Sequence, residues 1–124
     1  MFVVNEDKSI YVTRGDIAFF SVTAQNNGQP YQFQKHDVVR IKVYGKKDAG
    51  NVVLQKDFLV PDVSDKVEIF LSKGETKIGD VISKPTDYWY EIELNPDTDP
   101  QTIVGYDEDG AKVFKLFPEG KDVQ

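Results

Sequence analysis

His36 is the only histidine, and cysteine is absent. Acyl transfer through a serine would therefore need this one imidazole as its base, held in place by a third group. His36 lies in Gln34-Lys35-His36-Asp37, a polar stretch that reads as a surface turn. Glu91 and Glu93 share one face of an alternating segment, with Cα atoms roughly 6.6 Å apart at strand rise. That spacing is permissive for a glycosidase pair. Such enzymes, however, bring two carboxyls across a cleft from different elements and raise one pKa in an apolar pocket. Two neighbouring glutamates on a wet strand face do neither. Asp97, Asp99, Asp107, Glu108 and Asp109 form an acidic cluster in two loops, the oxygen chemistry that calcium prefers. The EF-hand pattern fails because Pro100 stands where its glycine belongs, and Asp in turns commonly bonds its own backbone. Arg14-Gly15-Asp16 spells an integrin-binding tripeptide but reads as a glycine turn opening a strand. Trp89, the single tryptophan, alternates to the side of Glu91 and Glu93. It is expected under a loop or second sheet, with anchoring of a partner or stacking on a sugar as alternatives. No catalytic, cofactor-binding or metal-ligating residue is assigned, and no cofactor is expected.

The elements that must position these residues show period two. Ala18, Phe20, Val22 and Ala24 fall on one face, as do Val39, Ile41 and Val43 opposite Arg40 and Lys42. Val67, Ile69 and Leu71 form a third set, and Tyr88, Tyr90, Ile92 and Leu94 a fourth. Alternation of this kind gives strands with one buried and one wet face. Turn signals fall between the runs: Asn26-Asn27-Gly28-Gln29-Pro30, Gly45 to Asn51, and Asp109-Gly110. Asp109-Gly110 reads as the turn of a hairpin joining Thr102–Tyr106 to Lys112–Phe117. Ser72-Lys73-Gly74-Glu75 matches a capping box and predicts one helical turn near residues 73–77.

The 124 residues suit one domain, taken as 1–124 with a frayed end from about 120. Fifteen Lys and Arg face twenty-one Asp and Glu, a net charge of −6, which repels a phosphate backbone and argues against nucleic acid as a partner. Lys46 and Lys47 are adjacent but read as a solvated turn. No apolar run approaches the ~20 residues of a membrane helix, so no membrane partner is expected. Glu6 and Asp7 stand where a signal peptide would be basic and then apolar. The fold expected from these patterns is all-β: a two-layer antiparallel β-sandwich of about seven to nine strands. Its core is expected to include Phe20, Val22, Val39, Ile41, Val43, Val67, Ile69, Leu71, Tyr90, Ile92 and Phe114.

Three stretches resemble the N-terminal domain family of phage baseplate upper proteins and related tail modules. They are Leu71-Ser72-Lys73-Gly74-Glu75-Thr76-Lys77-Ile78, Tyr88 to Leu94, and Thr102-Ile103-Val104-Gly105. Thr13-Arg14-Gly15-Asp16, Ala18-Phe19-Phe20-Ser21-Val22 and Gly28-Gln29-Pro30 fit the same family, so the resemblance spans roughly residues 8–117. It implies an immunoglobulin-like β-sandwich and a non-enzymatic virion structural protein of a phage or prophage. The implied role is tail or baseplate assembly or attachment through protein–protein contacts. The partners would be copies of itself or another virion component, in the virion or, during assembly, the host bacterial cytoplasm. Members of that family typically continue into stalk or receptor-binding regions, whereas this sequence ends at residue 124. A carbohydrate-binding module on a virion or cell surface is the alternative.

Overall fold

The computed structural model describes residues 1–47 and 50–120. The chain is all-β, with eleven strands among the described residues: β1 Phe2–Val4, β2 Ile10–Thr13, β3 Ala18–Val22, β4 Ala24–Asn26, β5 Gln29–Tyr31, β6 Val38–Tyr44, β7 Val52–Leu59, β8 Val67–Leu71, β9 Thr86–Leu94, β10 Gln101–Val104 and β11 Lys112–Phe117. The count exceeds the seven to nine expected because β1, β4 and β5 are three residues each, too short for alternation to register in sequence. Two positions of the expected turn between Gly45 and Asn51, and the expected frayed end beyond Gly120, lie outside the described residues.

The main sheet has seven strands in the order β1-β2-β11-β9-β6-β7, with β10 also paired to β9. β3 pairs β8, and β4 pairs β5. Val39, Ile41 and Val43 of β6 and Tyr90, Ile92 and Leu94 of β9 point inward, beside Phe114 and Leu116 of β11 and Ile10 and Val12 of β2. Ala18 and Val22 of β3 and Val67, Ile69 and Leu71 of β8 join the same buried cluster. Two sheets sharing one core through their alternating faces are consistent with a β-sandwich. Of the core expected from sequence, only Phe20 is not fully buried; it packs at the edge of the cluster and stacks on Phe2 at 5.8 Å.

Two expectations need correction. First, not every pair is antiparallel: β11 runs parallel to β2, with Phe114 opposite Ile10 and Phe117 opposite Thr13. Second, β10 and β11 do not form a hairpin with each other. Both run antiparallel along the same edge of β9, β10 beside Ile92–Leu94 and β11 beside Thr86–Tyr90. Together they line one side of β9 and are interrupted by an excursion, with β11 also paired to β2 on its far side, and Asp109-Gly110 turns the chain at its tip. The tip closes through an isolated bridge between Asp107 and Gly110, with Gly110 at φ 95°, where an L side chain is strained. Period-two patterning continues on both sides of the insertion, so sequence could not tell an excursion from a hairpin. The capping box closes the single turn expected near residues 73–77, with no helix behind it. Glu75 N donates to Ser72 Oγ at 3.2 Å and Ser72 N to Glu75 Oε1 at 2.8 Å. Only Thr76 N reaches back four residues, to Ser72 O at 3.1 Å. The turn then ends, and no α-helix occurs among the described residues.

Candidate functional site

The outer face of the main sheet carries the residues singled out for chemistry. Register sets Arg40 beside both Asp57 and Glu93, Lys42 beside Glu91, and Tyr44 beside Trp89. Arg40 makes a bidentate pair with Asp57, Nε to Oδ1 at 2.7 Å and Nη2 to Oδ2 at 3.0 Å, and its Nη2 also meets Asp97 Oδ2 at 2.9 Å. The guanidinium holds the Asp57 carboxyl below the ordinary aspartate range, outweighing burial. Lys42 Nζ lies 3.1 Å from Glu93 Oε1. The Tyr44 hydroxyl donates to Glu91 Oε1, and burial, reinforced by that carboxylate, raises the phenol's pKa.

Glu91 and Glu93 are thus each tied to a different partner on β6. They are half-buried rather than wet, and they do not converge on a cleft. Asp97 is engaged by Arg40, and Asp107 by Lys112 Nζ at 2.6 Å. Among the described residues no three His, Cys, Asp or Glu side chains come together to hold a metal ion. His36 is exposed in its turn at φ 77°, and its backbone N donates to Val60 O at 3.0 Å. Arg14 is buried, with its Nη2 on Gly79 O at 3.0 Å. The tripeptide it begins therefore locks β2 to the capped turn and does not present its arginine to a receptor.

Trp89 lies on the outer face and is half-buried, outside the core cluster. It lines a hollow of about 260 Å³ with Tyr44, Lys47, Glu91, Tyr106 and Lys112. Tyr106 belongs to the excursion and is 80% exposed. Sequence reasoning passed over Tyr106 because it read as a strand end. It passed over Tyr44 because a Tyr closing a strand is unremarkable until register places it against Trp89. The opposing signs of Arg40 and Lys42 on β6 and Glu91 and Glu93 on β9 were the available signal for this face, since opposite charges pair across strands.

Two other surfaces stand out. On the outer side of β3–β8, Phe19 and Phe70 meet edge-on at 6.4 Å, and both are exposed, as is neighbouring Ile17. Lys56 Nζ sits 5.2 Å from the Phe70 ring centroid. Between β7 and β8 runs an open groove of about 570 Å³ whose lining includes Leu59, Val63, Asp62 and Glu68. No helix among the described residues is long and apolar enough to cross a membrane. No protein-family model, curated protein or solved structure matches this chain.

Proposed function

We propose that this domain is a non-enzymatic structural module of a phage or prophage particle, acting in tail or baseplate assembly through contact with copies of itself or a neighbouring component. The observation that carries this reading is the exposed apolar strip of Ile17, Phe19 and Phe70 on the outer side of β3–β8. Solvent-exposed aromatics grouped on one sheet face mark interaction surfaces. A second support is the free edge of β7, eight residues long and last in the main sheet. Its unpaired backbone groups suit strand addition.

The resemblance to tail modules supplies the particle, and the topology suits the immunoglobulin-like form of that family. The order β11-β9-β6-β7, with β3-β8 in the same core, supports reading these strands as the G-F-C-C′ and B-E sheets of such sandwiches. With a net charge of −6, self-contact would be apolar or backbone-mediated and only weakly salt-dependent.

Sedimentation at several concentrations and two ionic strengths tests the self-assembly half. Association that weakens in Phe19→Ser supports it, and a strict monomer at high concentration removes it. Genomic neighbourhood tests the particle half: adjacent tail genes support it, and a metabolic operon removes it.

A further inference from the structure

We propose that the hollow over Trp89 binds a single neutral sugar ring, a property independent of the assembly reading. The floor is the Trp89 side chain, placed between Tyr44 of β6 and Val113 of β11 by register. The rim is Tyr106, carried on the excursion that interrupts β10 and β11. That excursion is firmly built. Asp107 Oδ1 accepts Asp109 N at 2.9 Å and Lys112 Nζ at 2.6 Å, and Gly110 N donates to Asp107 O at 2.9 Å. The Lys112 side chain is itself buried. A strand interruption held this way re-aims side chains at a chosen point, and here it leaves a tyrosine 80% exposed beside the only tryptophan. Both residues line the same hollow of about 260 Å³.

The polar groups select the ligand class. Glu91 offers a carboxylate acceptor, fixed by the Tyr44 hydroxyl. Lys47, also in the lining, offers an ammonium donor, while Lys112 is already engaged by Asp107. A hydroxyl both donates and accepts, so a polyol satisfies both groups at once. An anion would meet Glu91, and a quaternary ammonium, which aromatic cages otherwise favour, would meet Lys47. Aromatic faces cover the apolar C–H side of a pyranose while its hydroxyls face the polar pair. About 260 Å³ is below the range of drug-sized pockets and suits one ring. A ligand this small held by so few groups binds with a dissociation constant on the order of 1 mM.

Trp89 emission reports the site directly because no other tryptophan contributes. The chain is titrated separately with glucose, galactose, N-acetylglucosamine, rhamnose, tetramethylammonium and sulfate. The expected result is a saturable emission change with at least one sugar and none with either ion. Tyr106→Ala, at an exposed position whose loss does not threaten folding, is expected to weaken sugar binding at least about 10-fold, and Glu91→Gln to weaken it as well. A flat response to all four sugars overturns the proposal. So does a response to tetramethylammonium or sulfate alone, or sugar binding unchanged in Tyr106→Ala.

Discussion

Asn95 Nδ2 donates to Asp37 Oδ1 at 3.1 Å, joining the residue just before β6 to the residue just after β9. The clasp is doubled. Asn95 Oδ1 accepts Val38 N at 2.8 Å and Asn95 N donates to Val38 O at 2.7 Å, with Asn95 in the left-handed region at φ 48°, which asparagine tolerates. The other Asp37 oxygen accepts the Tyr31 hydroxyl at 2.8 Å and Gln34 N at 2.9 Å. Burial disfavours the Asp37 charge, but the hydrogen bonds from Gln34, Asn95 and Tyr31 outweigh it and lower its pKa. Burial and the same carboxylate push the Tyr31 phenol up to about 12.

Asp37→Ala should destabilise the fold by about 1–3 kcal/mol, since it leaves several donors unmet. A folded pKa below the unfolded value contributes stability that is present above the unfolded pKa, near 4, and is lost as pH falls through the folded one. The wild-type urea midpoint should therefore fall below about pH 4, and Asp37→Asn should flatten part of that fall. An unchanged pH profile in Asp37→Asn would refute the assignment.

Phe33 sits outside the named strands yet is fully buried. It bridges to Ser64, with Phe33 N on Ser64 O at 2.7 Å, and its ring meets Tyr31 edge-on at 5.4 Å. Phe33→Ala should cost about 3–5 kcal/mol through the lost burial and the cavity left behind, read as a lower denaturant midpoint at constant slope.

Thr76 is a buried polar residue with a defined task. Its Oγ1 accepts Gly15 N at 3.0 Å and donates to Asp16 O at 2.7 Å. Thr76→Val keeps the volume and strands both backbone groups, so a loss of about 1–3 kcal/mol is expected. Gly15→Ala should also destabilise. At φ 89° a Cβ is strained, and it would meet the Glu119 carboxylate. Equal thermal midpoints for wild type and Thr76→Val would contradict this role.

Lys112 is buried, whereas its partner Asp107 is half exposed. Asp107→Ala leaves an ammonium without its counter-charge and should lower the thermal midpoint. Lys112→Met, which removes the charge itself, should lower it less. The reverse ranking would mean the pair does not hold the excursion.

The main faces were readable before any coordinates. Val39, Ile41 and Val43, and Tyr90, Ile92 and Leu94, alternate over strands long enough for periodicity to speak, and all are buried. Ile10 and Val12 were missed because a four-residue strand offers only two inward positions, and Phe33 because it lies in no strand at all. The partners of Glu91 and Glu93 depend on the register between β6 and β9, which no local pattern encodes. The hollow was half legible: Trp89 was placed on the correct face, but Tyr106 gained its meaning only from the excursion between β10 and β11.

The parallel seam between β2 and β11 governs how the chain can mature. Ile10 and Phe114 are opposed across it, so β2 waits for a strand made about a hundred residues later. Until residue 117 has cleared the ribosome, β2 lacks its inner neighbour and the first half of β9 has an open side. Contacts of such long sequence separation fold slowly, and unpaired edges are exposed in the meantime. A nascent chain stalled before Lys112 would therefore be protease-sensitive, with β2 and the first half of β9 each left short of a neighbour.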